Sequence, residues 1–397
     1  MTEAYIARLK PNHDRRVAAG HPWVFSNEID GDVKAMPPGG VVDVVDDKGK
    51  FLGRGYGNPA SLIAVRILSR RRKEDIDAHW FYADRLREAL ELRRIVYPTR
   101  QSLRLVFSEA DGLPGLVIDR FGDALAVQIT TLGMEVRKDA LRRAIEEVFA
   151  PSCAVLRNDV SVRTLEGLPL GREVWFGEPP GDIEIDESGV KFGVNVLGGQ
   201  KTGHFFDQHD NRVFAGQLCA GRTVLDVYAN AGGWALHALL RGATHATTID
   251  SDADNVARTV ANAARNGMAD RLDAICAEGR ATLSQMVNQG RRFGAVVLDP
   301  PAFAKQRKAA GPALKGYGEI NTLGLSLVEH GGLFFTSSCS WHILEDRFLE
   351  EIQGAAKKAG RVIRMIRRGE QSSDHPVIPG VPETRYLKSF AFRVTVG

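Results

Sequence analysis

The second half of the chain is built on one repeating rhythm. From about residue 200, short apolar runs alternate with longer stretches whose apolar positions fall three and four apart. Strands are predicted over 223–227, 245–249, 272–276, 295–299 and 332–337. Helices are predicted over 233–241, 253–266, 279–289, 317–330 and 345–359, and two closing strands over 361–367 and 386–396. Repeated strand–helix units build a parallel sheet with helices on both faces. Ligands bind such sheets outside the carboxyl ends of the strands, so the residues just past each strand carry the argument.

The first half reads differently. Residues 40–49 and 62–68 have strand patterns, and 75–95 have helical spacing at Ile76, Trp80, Phe81, Leu86, Leu90 and Ile95. A hairpin is expected over 116–129 with its turn near Gly122-Asp123, followed by a helix over 136–149. Strands resume at 153–157 and 183–196, and 177–181 is loop. A chain of 397 residues exceeds one compact core. The division expected is 1–73, 74–196 and 197–397.

Charge separates the parts further. Residues 1–73 hold 13 Lys and Arg against 8 Asp and Glu, a net of +5, while the other residues sum to −2. A basic module on a near-neutral body suits a polyanion partner; a solvated charged edge would look the same. No run reaches the roughly 18 apolar residues of a membrane span, and the N-terminus lacks the pattern of a secretory leader. The four cysteines, Cys153, Cys219, Cys276 and Cys339, form no CxxC pair and no zinc-ligand cluster. No metal is expected, and such sparse cysteine usage fits the cytoplasm.

Four of the strand ends carry acidic residues. The first reads Asp226-Val227-Tyr228-Ala229-Asn230-Ala231-Gly232-Gly233. Its glycines allow close backbone approach where strand turns into helix, in a spacing unlike the GxGxxG dinucleotide pattern. An acidic residue followed by small residues and Gly suits the methionine end of S-adenosylmethionine, although many such turns contain Gly for local reasons. Asp250 ends the second strand and can accept from both ribose hydroxyls of a nucleoside. It could equally cap the next helix, a task open also to Ser251 or Asp252. Glu278 follows the third, placed for an adenine amino group or for the helix dipole. Together the three point to a nucleoside site. The fourth strand ends Asp299-Pro300-Pro301-Ala302-Phe303, whose prolines stiffen a loop able to present Asp299 to a flat heterocycle. The fifth ends Thr336-Ser337-Ser338-Cys339-Ser340. A cysteine is most often a small buried hydrophobe; next to the Asp299 loop, thiolate chemistry is the better reading.

With these residues the sequence resembles the RNA 5-methylcytosine methyltransferases of the large-subunit rRNA type. The resemblance runs through Arg15-Arg16-Val17 to Phe25, Gly53 to Ser61, Glu109 to Gly115, Arg157-Asn158-Asp159, Lys201 to Gln208, Asp374-His375-Pro376 and Tyr386-Leu387-Lys388. It implies an α/β protein of three parts: an N-terminal β-rich PUA-like RNA-binding domain, a small α/β linking domain and a C-terminal class I, Rossmann-like methyltransferase domain. It implies S-adenosylmethionine as cofactor and rRNA as partner, and makes a homodimer plausible. For the cofactor it implies Lys201, Thr202, Phe205, Asp226, Tyr228, Asn230, Gly232, Asp250, Ser251, Glu278 and Asp299. For the RNA it implies Pro300, Phe303, Arg15 and Arg16. Glu278 stands where the family commonly has Asp, and Ala302 where Lys or Thr is common.

Cys339 and Asp299 are the catalytic candidates. A close relative methylates guanine with a similar Asp-Pro-Pro-Phe loop but lacks the Ser-Cys-Ser cysteine, so Cys339 points to C5 of cytosine. The alternatives are an rRNA guanine methyltransferase, or an RNA-binding protein on an inactive methyltransferase fold.

Overall fold

The computed structural model describes residues 4–199, 202–304 and 309–397. The chain divides into two compact units. One holds the residues up to Ile183 with Val194–Phe206 and Ser373–Thr384; the other holds Glu184–Gly193, Asp207–Ser372 and Arg385–Gly397.

In the first unit β1 (Tyr5–Leu9), β2 (Trp23–Phe25), β3 (Ile29–Asp30), β4 (Val41–Val45), β5 (Phe51–Gly57) and β6 (Ile63–Ser69) form a sheet ordered β2-β6-β5-β4-β1-β3. The one-turn helix α1 (Arg15–Ala18) follows β1. Val42, Val44, Val65 and Ile67 bury against Ala7, Leu9 and Val24. Pattern reading misses β5 because Gly53, Gly55 and Gly57 occupy every second position. A Cβ at Gly55 would lie 1.9 Å from the Arg66 carbonyl oxygen, so the strand has glycine where its neighbour comes too close for a side chain.

A second sheet, ordered β11-β10-β9-β8-β7, contains β7 (Ser102–Phe107), β8 (Leu116–Phe121), β9 (Ala124–Ile129), β10 (Cys153–Arg157) and β11 (Arg172–Phe176). The expected hairpin is β8–β9, which turns with Gly122 in the left-handed region. Helices α2 (His79–Val96), α3 (Leu132–Val136) and α4 (Lys138–Phe149) accompany it. Phe81, Leu86, Leu141 and Ile145 bury with Leu105, Ile118 and Val127. Tyr56 of the first sheet joins this core, and its hydroxyl donates to Pro114 O at 2.6 Å. Buried Glu166 accepts from Asn58, Ser61 and Arg66, each at 2.8 Å. The two sheets are therefore locked by a shared core and a buried ion pair.

In the second unit, the stretch read as one strand over 183–196 is a hairpin of β12 (Ile183–Glu187) and β13 (Val190–Val194). It turns through Ser188 (φ 53°) and Gly189 (φ 92°), the two left-handed residues of a tight hairpin. Ser in place of the usual Asn or Asp hides the signal. Next come β14 (Thr223–Val227), β15 (His245–Asp250), β16 (Leu272–Cys276), β17 (Phe293–Leu298), β18 (Val328–Ser338), β19 (Arg361–Gly369) and β20 (Lys388–Val396). Their order is β16-β15-β14-β17-β18-β20-β19. β14 to β18 run parallel, β20 runs antiparallel to β18, and β19 antiparallel to β20. The helices are α5 (His209–Leu218), α6 (Gly233–Leu240), α7 (Ala253–Arg265), α8 (Gly279–Asn288), α9 (Ala310–Ser326) and α10 (Glu345–Lys358). Leu225, Val296, Leu298, Phe334, Phe348 and Phe390 form the core.

One helix is displaced from expectation. The spacing predicts 317–330, but α9 spans Ala310–Ser326. Gly311 and Pro312 read as breakers, yet both fall in the first turn, where the N–H that proline lacks has no helical partner to lose. The chain has already entered β18 at Val328, which pairs with Phe293. Among the described residues no helix is long and apolar enough to cross a membrane.

A buried ion cluster ties the hairpin to the helices. Glu187 accepts from Arg212 Nε at 2.9 Å and from its terminal nitrogen at 2.8 Å, and lies 3.0 Å from His237 Nε2. All three are buried. Removing the carboxylate strands a guanidinium in a low-dielectric interior. Glu187→Ala is therefore expected to lower unfolding stability by about 3–5 kcal/mol in urea titration; a loss within error of zero would show that water reaches the cluster.

Candidate functional site

Strand order reverses between β14 and β17, and a crevice opens outside the carboxyl ends of strands at such a reversal. Asp226 pairs in register with Val297 there, and Asp299 lies just past the end of β17.

Asp226 is fully buried. Its Oδ2 accepts the Ala235 backbone N–H at 3.1 Å, while Oδ1 has no hydrogen-bond partner. α6 is capped by Gly232, which has no side chain, so the strand carboxylate satisfies one of the helix's open N–H groups. Burial pushes the Asp226 pKa up to about 7 against that hydrogen bond, and the charges of Asp299 and Asp250 add to the rise.

The following turn is conformationally costly. Tyr228 (φ 67°), Asn230 (φ 50°) and Gly232 (φ 81°) are all left-handed. A Cβ at Gly232 would sit 2.8 Å from Thr259 Cγ2. The turn is held by β15: Tyr228 and Ala229 donate to Ile249 O at 2.9 and 3.1 Å, and Asn230 N–H donates to Asp250 Oδ2 at 2.9 Å.

Asp250 Oδ1 also accepts from Asp252 N–H and the Asn255 amide. The cap of α7 is Asp252, which accepts from Asp254 and Asn255 N–H; Ser251 is exposed and does not cap. Glu278 is exposed and caps α8, accepting from Arg280 N–H at 3.0 Å and Ala281 N–H at 2.6 Å. The Tyr228 ring lies against the first turn of α8, where a Cβ at Gly279 would be 2.9 Å from it.

Asp299 accepts Gln208 Nε2 on one oxygen at 2.9 Å and Trp234 Nε1 on the other at 3.1 Å. Burial pushes its pKa up to about 6. Pro300 is buried, and Phe303 packs on Tyr317 with ring centroids 4.6 Å apart. The Tyr317 hydroxyl lies 3.0 Å from Ser338 Oγ and 3.2 Å from Ser340 Oγ, and Ser340 Oγ accepts Ala304 N–H. These bonds brace the turn that holds Cys339, which is partly exposed and forms no disulfide.

The structure thus brings Asp226, Tyr228, Asn230, Gly232, Asp250, Glu278, Asp299, Pro300, Phe303 and Cys339 to the carboxyl ends of one sheet. Sequence reasoning missed Gln208 and Trp234 as partners of Asp299, Asn255 as a partner of Asp250, and Tyr317. Of these, Gln208 alone lies in a motif that carries the resemblance, Lys201 to Gln208. Thr202 and Phe205 belong to the other unit, where Thr202 donates to Asp119. Lys201 lies outside the described residues. Arg15 is exposed, whereas Arg16 is engaged by Glu28, the Trp23 carbonyl and the Phe25 ring.

A PUA-like domain model matches residues 7–70, and an S-adenosylmethionine-dependent methyltransferase model matches residues 112–393. Ribosomal RNA large subunit methyltransferase I of Klebsiella pneumoniae (strain 342) is 35% identical over 99% of this chain and the whole of its own. The protein of that name from Shewanella denitrificans is 37% identical over 98% of each. A methyltransferase solved in complex with SAH covers 98% of this chain and 100% of its own at TM-score 0.85 and 18% identity, a likeness of fold. Fold and matches define a class, the S-adenosylmethionine-dependent methyltransferases with a PUA-like domain. Within that class the chain belongs to the ribosomal RNA large subunit methyltransferase I family.

The raised pKa of Asp226 sets a sign. Between about pH 4 and 7 the folded state holds a proton that the unfolded chain, with an ordinary carboxylate, has released. Stability of the ligand-free protein should therefore fall as pH rises through that window, with Asp299 adding to the fall below about 6. Asp226→Asn should flatten the curve of urea midpoint against pH. An unaltered slope would mean that Asp226 ionises as freely folded as unfolded.

Proposed function

We propose that this chain methylates C5 of a cytidine in large-subunit rRNA, with Cys339 as nucleophile. The carrying observation is the placement of Cys339: it follows β18, the parallel neighbour of β17, which leads directly into Asp299. S-adenosylmethionine supplies an electrophilic methyl group.

Asp226 supports the cofactor reading. A buried carboxylate oxygen with no donor, in a carboxylate of raised pKa, suits the α-ammonium of the methionine end. Asp250 is assigned to the ribose and Glu278 to the adenine edge, each with a further lone pair beyond those its helix uses. Tyr228, Asn230, Gly232 and Ser251 complete the assignment, and for Lys201, Thr202 and Phe205 it rests on the resemblance alone.

Cytosine C5 is too weak a nucleophile to take a methyl group directly. The Cys339 thiolate adds to C6, the C5–C6 double bond opens, and C5 gains enamine character. After methylation a base removes the C5 proton, the double bond re-forms and the thiolate leaves. The cytosine must be out of its stack to expose C6. Asp299, with two donors fixed on it, has lone pairs left for the N4 amino edge. Pro300 stiffens its loop, and Phe303 flanks it.

Residues 1–73 are assigned to RNA binding, 74–196 to a linking domain and 197–397 to catalysis. Arg15 is the phosphate contact of the Arg15-Arg16 pair, with Arg16 holding the local turn. The enzyme acts in the cytoplasm, and a homodimer is the proposed assembly.

Cys339→Ala is expected to retain cofactor affinity in calorimetry but to form no 5-methylcytidine. Wild-type protein should trap covalently on RNA carrying 5-fluorocytidine, because fluorine does not leave as a proton. Methylation by the Ala variant at a comparable rate would remove Cys339 as nucleophile and reopen the guanine reading. Independently, Asp250→Ala should weaken cofactor binding by roughly 1.5–3 kcal/mol; unchanged affinity would displace the ribose from Asp250.

A further inference from the structure

The antiparallel pairing of β18 with β20 sets Lys388 directly opposite Ser338, the residue before Cys339. Lys388 is 8% exposed. Its Nζ donates to the carbonyl oxygens of Ser340 at 2.7 Å and Tyr386 at 2.9 Å. The ammonium is thus tied to the backbone of the residue after Cys339 and rises from the partner of the residue before it. Lysine is rarely buried without a charge partner, and two neutral carbonyls do not supply one. Among the described residues no ion pair joins Lys388 to a carboxylate.

We propose that Lys388 is a positioning residue that holds the Cys339 sulfur as thiolate by fixing an ammonium beside the 338–340 turn. This rests on the reading of Cys339 as nucleophile. The thiol proton passes to solvent, and Lys388, charged at pH 7, takes no part in the proton transfer. A cation beside the sulfur favours the thiolate that attacks C6. It also makes sulfur a better leaving group when the adduct collapses.

The surrounding charges agree. Burial lowers the Lys388 pKa to about 8; the Cys339 and Glu345 charges oppose that drop, and Arg385 adds to it. Glu345, at the start of α10, is engaged by Arg368 and Arg385, and Arg385 also pairs with Glu370. Neither arginine is left uncommitted to serve the sulfur. The Tyr317 hydroxyl from α9 has its pKa raised, first by burial, so it stays neutral at physiological pH.

The test is the pH dependence of Cys339 alkylation by iodoacetamide in the full chain, resolved by peptide mass spectrometry. Exposed Cys276 in the same molecule is the internal reference. Wild-type Cys339 should react with a midpoint at least one pH unit below that of Cys276. Lys388→Met should raise the midpoint by a unit or more, cutting the rate at pH 7 about tenfold, and Lys388→Arg should restore most of it. A wild-type midpoint no lower than that of Cys276 overturns the proposal even if the Met variant does not fold. So does an equal shift in the Met and Arg variants. Neither result touches the nucleophile reading, which stands or falls with methylation by Cys339→Ala.

Discussion

Removing a carboxylate from water costs more than one hydrogen bond returns, and the second unit sets three at the open edge of one sheet. Each is compensated differently. Asp250 takes donors from Asn230, Asp252 and Asn255, so its charge is spread over two elements. Asp299 takes one side-chain donor on each oxygen, from Gln208 and Trp234. Asp226 takes a single backbone donor and keeps one oxygen unserved. Asp299 and Asp250 also raise the pKa of Asp226. The edge therefore carries its least compensated carboxylate at Asp226, whose charge is felt by Asp299 and Asp250 as well.

The same constraint shapes the backbone. The turn after β14 bends through left-handed Tyr228 and Asn230, which elsewhere would choose other conformations. It holds because its N–H groups are spent on the end of β15 and on the Asp250 carboxylate. Strain in the turn and charge at Asp250 thus stabilise each other.

Sequence reading went furthest where geometry follows from chain order. A parallel sheet lines up its strand ends, so the sequence alone sets Asp226, Asp250, Glu278, Asp299 and Cys339 along one edge, where the structure has them. It could not choose between a cap and a ligand for an acidic residue there, because both need a carboxylate at the same place. The structure shows only where the caps fall: Asp252 takes the cap of α7, leaving Asp250 outside that role, whereas Glu278 caps α8 and keeps further lone pairs on both oxygens. Long-range partners were invisible. Gln208 reaches Asp299 from 91 residues away and Trp234 from 65, and an indole N–H has no periodicity to betray it. β5 and the start of α9 escape pattern reading for a shared reason: glycine and proline weaken a strand or helix pattern, and only close packing or a first helical turn admits them there.

The four cysteines show how little residue type decides. Cys153 and Cys219 are buried, and burial raises both thiols, Cys219 to about 12, which leaves them protonated and inert. Cys339 differs through its place in the topology. β20 returns antiparallel, so its opening residue, Lys388, lies where β18 ends. The antiparallel return therefore brings the first side chain of the last strand to the same edge as the carboxyl ends of the parallel ones. The Ser338–Tyr317–Ser340 hydroxyls, with the lysine bonded to Ser340 O, then fix the turn from both sides.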